Sequence, residues 1–172
     1  TLIADGGDID FDGIVGGAGR VGVISISSAA DVTADLAVTA ERLFQTTGTG
    51  TTTLSGAVNT NQEDGGFGVS IVTDSLVIND SITTSGDGGV FTGLAGTATI
   101  AATGDINSTG VVTLDAAGGI TSGGDITTTN DNINIVNALT LASDVSLDSG
   151  NGAGTISLLG TVSDRKSTRL NS

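Results

Sequence analysis

Short bursts in which apolar and small polar residues alternate recur along the whole chain, as in Val69-Ser70-Ile71, Leu76-Val77-Ile78 and Ile133-Asn134-Ile135. A period of two turns one side of each burst toward a core and predicts half-buried β-strands about three to five residues long. Gly, Thr, Ser, Asn and Asp fill the gaps, and no apolar stripe with a 3.6-residue period is sustained, which argues against helix. The bursts are linked by a recurring corner, an apolar residue, a tight turn and another apolar residue. In its short form the pairs are Leu54/Val58, Ile78/Ile82, Leu141/Val145 and Leu158/Val162; in its long form they are Ile26/Val32, Ile100/Ile106 and Leu114/Ile120.

The bursts also repeat as text. FGVSIVTDSLVINDSITTSG begins at Phe67 and NINIVNALTLASDVSLDSG at Asn132, with shorter echoes from Thr97 and Val111. Such self-similarity marks a chain that stacks copies of one small unit. Strands this short become stable when each pairs with its copy in the next coil, ~4.8 Å away. The fold class expected is all-β, a right-handed parallel β-helix with coils of roughly 20 to 24 residues. Coils are expected to begin near Arg20, Leu43, Phe67, Val90, Val111 and Asp131, with partial ones at both ends, about seven in all and about 35 Å long. Phe44, Phe67 and Phe91 recur at nearly this spacing and are expected to stack in the core rather than to form a ligand platform. Glycines such as Gly65-Gly66, Gly88-Gly89 and Gly123-Gly124 fall where one coil hands over to the next, where positive φ and close approach are expected. The region from Gln45 to Gln62, with its TTGTGTTT run, has the composition of a linker, but the pair Leu54/Val58 inside it argues for strands. The absence of proline agrees with a backbone paired on both sides, because proline removes a ladder donor.

Composition narrows the function. The chain has 172 residues, 37% of them apolar, with 28 Gly, four Phe, and no Cys, His, Trp, Tyr or Met. Regularly spaced apolar residues at that level exclude disorder, and Val, Ile, Leu and Ala must supply nearly all the core. Residues 164–172, DRKSTRLNS, break the pattern and hold three of the five basic residues. They look like the translation of a common sequencing adaptor, so residues 1–163 are taken as one repeat segment, an internal fragment of a longer protein, and 164–172 as a non-native tail. Arg20 and Arg42 are then the two basic residues among many acidic ones, and the whole chain carries a net charge of −14. Such a surface repels phosphate backbones and anionic membranes, so neither nucleic acid nor direct membrane insertion is expected.

The strings ALTLASDVSLDSG, GDINSTG and GGDITTTN resemble the repeats of filamentous-haemagglutinin-type adhesins and similar large bacterial β-strand-repeat surface proteins. The resemblance implies a right-handed parallel β-helix, exported and held at the bacterial cell surface or released, whose repeats act as a stalk displaying binding segments. It further implies partners such as surface glycans or cell-surface proteins, and continuation into more repeats of the same chain. It carries over no functional residue.

Candidate chemistry is sparse. Asp8-Ile9-Asp10-Phe11-Asp12-Gly13 matches the first half of a calcium loop, making Asp8, Asp10 and Asp12 candidate Ca²⁺ ligands and a calcium-dependent surface or biofilm matrix repeat the alternative function. Gly19, however, stands where such a loop needs its bidentate Glu, and on a strand the three Asp simply face solvent. In Gly16-Gly17-Ala18-Gly19-Arg20-Val21, Val replaces the Asp of a glycine-rich calcium repeat. The Gly-Asp-Ile triplets at Asp8, Asp105 and Asp125 are expected to bond backbone N–H groups in their turns. With no His, no adjacent Asp pair and no Lys before the tail, polysaccharide hydrolysis or elimination lacks its acid, base and cation, and no cofactor or catalytic residue is expected. Thr51–Thr53, Thr97/Thr99 and Thr127–Thr129 suggest an ice-binding face, but their spacing is irregular along the chain and no such face is expected.

Overall fold

The computed structural model describes residues 1–165; the remainder of the tail, 166–172, lies outside the described residues. The described residues form 21 strands and no helix. All pairings between strands are parallel, and the chain is a parallel β-solenoid of about seven turns. One coil shows the plan. Phe67–Thr73 lies in a first sheet, Ser75–Ile78 in a second and Ile82–Thr84 in a third, before Gly89–Leu94 returns to the first. The second sheet contains eight strands. The first and third are joined through the long strand Val38–Gln45, whose first half pairs with Val58–Thr60 and second half with Phe67–Thr73, giving a hydrogen-bonded unit of 13 strands.

The pairing register sorts the sequence into columns. In the second sheet, Ile9, Val32, Thr52, Leu76, Ala98, Ile120, Leu139 and Val162 stand one above another. In the third, Val38, Val58, Ile82, Ile106, Ile126 and Leu147 do the same. In the first, Ile24, Leu43, Val69, Val90, Val112, Ile133 and Ile156 form a further column. These side chains point inward, and in the middle coils they are almost completely buried, with Val90, Ile106, Val112, Ile126 and Ile133 at 0% exposure. Coil length varies because corners vary while columns hold: Ile120 pairs with Leu139, whereas Thr52 pairs with Leu76.

The core is not wholly apolar. Thr60, Thr84, Ser108 and Thr128 form an inward column at the end of the third sheet, and each is buried. Three of the four hydroxyls meet corner carbonyls, Thr84 Oγ1 donating to Gly88 O, Ser108 Oγ to Gly110 O at 2.9 Å and Thr128 Oγ1 to Asp131 O, whereas the buried Thr60 hydroxyl has no hydrogen-bond partner among the described residues. A Thr or Ser here satisfies backbone that the turn leaves unpaired, which is why the apolar residue before it is so regularly followed by a hydroxyl two positions on.

Two expectations are corrected, and others take a more specific form. Phe44, Phe67 and Phe91 do not stack in the core. Leu43 and Gln45 flank Phe44 and are both buried, as Val90 and Thr92 are around Phe91, so strand alternation turns the rings outward. Phe44 and Phe91 both stand opposite Ser70, while Phe67 lies at the start of its strand opposite Gly89, with a register shift between Gly89 and Val90. Val145 does not follow Leu141 into the core; Leu147 takes the column opposite Ile126, so this corner has the long form. The handover glycines divide by cause. Gly65, Gly66 and Gly86 have positive φ, whereas Gly89 does not, and is required because a Cβ there would strike the Val111 carbonyl. The stretch between Gln45 and Gln62 is regular solenoid, with strands Thr51–Leu54 and Val58–Thr60 in register with their neighbours. The final strand, Val162–Asp164, runs one residue into the expected tail and places Asp164 opposite Leu141.

Large apolar side chains left exposed lie toward the two ends, Leu2, Ile3, Ile14, Val21, Val23 and Leu36 at one and Ile156, Leu158, Leu159 and Val162 at the other. Ile100, at 2% exposure, sits mid-column between Ile78 and Ser122. Ile100→Asp places an unpaired charge there and is expected to lower unfolding free energy by more than about 3 kcal/mol, measured by urea denaturation. A variant as stable as the parent chain would show that this column does not carry the core. The terminal strand edges and apolar side chains are expected to make the chain associate as concentration rises, read by sedimentation velocity; a single monomeric species throughout would contradict this.

Candidate functional site

Aspartates are the most numerous chemically active side chains, and many of them staple coil to coil. Asp8 Oδ1 accepts the backbone N–H of Asp31 at 3.0 Å, and Asp31 Oδ1 accepts that of Thr51 at 2.6 Å. At a later corner Asp105 accepts from Asp125 at 2.9 Å, and Asp125 from Ser146 at 2.7 Å. The donor is therefore in the next coil rather than in the aspartate's own turn. A parallel stack brings the N–H that opens the next coil's strand over the carboxylate, and a charged acceptor there makes a strong bond. Asn132 plays the same part for Thr155, whose N–H it accepts at 2.9 Å.

Asp10 stands on the outer side of the second sheet opposite Thr33, and Asp12 is exposed just beyond the strand. Asp8 is engaged at the corner, so the three carboxylates of the calcium-like motif are divided between different tasks. Among the described residues no three His, Cys, Asp or Glu side chains are grouped as a metal ion requires.

The two arginines of residues 1–163 act as braces. Arg20 donates to Ala40 O at 2.7 Å, Asn59 O at 2.8 Å and Asn59 Oδ1 at 2.6 Å, tying together three successive coils. Arg42 bonds the Gly65 carbonyl and holds its guanidinium carbon 5.4 Å from the centre of the Phe44 ring.

The outward columns present two surfaces that linear spacing conceals. On the second sheet, Asp10, Thr33, Thr53, Val77, Thr99, Thr121, Thr140 and Ser163 share one column, so threonines irregularly spaced in the sequence are aligned in space. Thr51 and Ser75 begin a second column beside it. The first sheet carries the phenylalanines. Phe67 and Phe91 touch with ring centres 5.3 Å apart and planes tilted by 37°. Beside them, Phe67 and Val111 line a cleft of about 360 Å³ together with Asp87, Thr109 and Asp131. The signal available in sequence was the alternation itself: Val90-Phe91-Thr92 admits only one inward parity, and Val90 fixes it.

No protein-family model matches the chain, and comparison with curated proteins and with solved structures finds no match.

Replacing a stapling carboxylate tests the aspartate reading. Asp31→Ala is expected to destabilise the chain by about 1 to 2 kcal/mol by leaving the Thr51 N–H unpaired, and Asp31→Asn by less. Melting is expected to be the same in calcium and in chelator; a calcium-dependent rise in Tm that Asp10→Asn abolishes would restore the metal-loop reading.

Proposed function

We propose that this chain is a structural, adhesive repeat segment of a large secreted bacterial surface protein of the filamentous-haemagglutinin-like kind, a stalk that extends from the cell and displays binding regions. The observation that supports this most is the uninterrupted stacking of coils in register. Inward columns run from near one end of the described chain to the other, and each coil adds length without adding a new kind of core. Such an object is rigid along its axis and lengthens by repetition, which is what a spacer requires. Its acidic surface and braced arginines suit a stalk that stays soluble and clear of neighbouring anionic surfaces. On this reading its partners are surface glycans or cell-surface proteins, its setting is extracellular, and it performs no catalysis.

The aligned threonine column favours a second reading, ice binding. A flat β-face with hydroxyl and methyl groups repeating at the strand spacing can order water against itself. Val77 interrupts the row, and the second column is short. Thermal hysteresis measured on the chain separates the two: its presence, lost in Thr99→Lys, would favour ice binding over the stalk.

The stalk reading predicts length. One, two or three copies of residues 1–163 placed between a cell-surface anchor and an epitope tag are expected to raise the tag by about 35 Å per copy, measured by super-resolution or electron microscopy. A tag height that does not grow with copy number would overturn it.

A further inference from the structure

We propose that the cleft beside Phe67 is a binding groove for a neutral polysaccharide chain; this rests on the adhesive-stalk reading and gives it a specific surface. Phenylalanine is scarce here, four residues in 172, yet three of the four face outward on the first sheet. Phe67 lies against the next strand, where its Cδ1 is 3.2 Å from the position a Cβ would take on Gly89. The lack of a side chain at Gly89 lets the ring lie close over the strand, and Phe91 supports it from the side. A ring so held borders the cleft and gives it an apolar aromatic wall.

The polar groups around the ring select the ligand. The Asp87 and Asp131 carboxylates make no hydrogen bond or ion pair among the described residues, and both line the cleft. Thr109 adds a hydroxyl, which itself donates to the Thr84 carbonyl at 3.4 Å, and Val111 adds a second apolar contact. Free carboxylates want hydroxyl or N–H donors. A pyranose ring has an apolar face for the phenyl ring and a rim of hydroxyls for the carboxylates. Uronate or sulfated sugars would meet two fixed negative charges and a chain of net charge −14, with both body arginines already engaged. A quaternary ammonium would find a single phenyl ring here, not a cage.

The shape favours a polymer. Gly66, Asp87, Thr109 and Asp131 come from four successive coils, as the bonds from Gly89 N to Gly66 O, from Gly110 N to Gly88 O and from Val112 N to Asn132 O show. The groove therefore runs along the rod for about 14 Å, long enough for more than one sugar unit. It lies parallel to the direction in which a stalk grows.

The experiment uses the full chain, with affinity electrophoresis and pull-down against soluble β-glucan, xylan and glucomannan, polygalacturonate as the charged control and oligolysine as the cationic one. Binding to at least one neutral glycan is expected, with no binding to polygalacturonate. Phe67→Leu keeps an apolar cover on Gly89 but removes the flat ring, and is expected to weaken glycan binding at least tenfold with an unchanged Tm. Phe67→Trp is expected to bind at least as tightly as the parent, and Phe44→Leu, outside the cleft, to bind as the parent does. Failure to bind any neutral glycan, undiminished binding by Phe67→Leu, equal binding of polygalacturonate, or oligolysine binding that displaces the glycan would each overturn the proposal. Tag height per copy would still decide the stalk reading, so the two fail separately.

Discussion

Parallel hydrogen bonding between successive coils is the constraint on which the rest of this molecule depends. Each short strand has too few residues to stand alone, and its backbone groups are satisfied by the copies above and below it. Once Ile82 pairs with Val58 on one side and Ile106 on the other, every residue near it has its neighbours assigned. The side chain at one position must then be compatible with a column rather than with a local sequence. That is why stacked Ile, Val and Leu dominate the core, and why most of the hydroxyls buried at the end of the third sheet give their protons to corner carbonyls.

Variation is pushed outward and into the corners. Corners change length without disturbing the columns, because a turn can bulge into solvent while the strands on either side remain in register. The aspartates show how such corners are held: a carboxylate from one coil takes the N–H that begins the next, as Asp31 does for Thr51, and replaces a turn bond that irregular backbone cannot make for itself. Acidic residues that would otherwise be only a solvated coat thereby contribute to the axial stiffness of the rod. Arg20, reaching across coils to Ala40 and Asn59, does the same with opposite charge.

Function on such a scaffold is written in the outward columns, which are free of the packing constraint. Threonine on the second sheet and phenylalanine on the first give two faces of quite different chemistry on one rod. A stalk reading uses the inward columns and a groove reading the outward ones, so the two draw on separate parts of the same residues.

The amino-acid sequence by itself determined the class of structure: strands from the period-two bursts, stacking from the repeated text, and inward positions such as Leu54, Ile78, Ile82 and Ile106 from the corner pairs, all of which are buried. These were legible because alternation and repetition are local properties of the chain. Which residues become neighbours across coils was decided only in three dimensions. Equal spacing suggested that Phe44, Phe67 and Phe91 stack, but parity turns Phe44 and Phe91 outward opposite Ser70, and the irregularity beside Gly89 takes Phe67 out of the inward parity of Val69. Unequal spacing concealed the opposite case, since Thr33, Thr53, Thr99, Thr121 and Thr140 align because corners of different length absorb the difference. Hydrogen-bond register, not distance along the chain, sets who stands beside whom, and register is a property of paired backbones that no single segment contains.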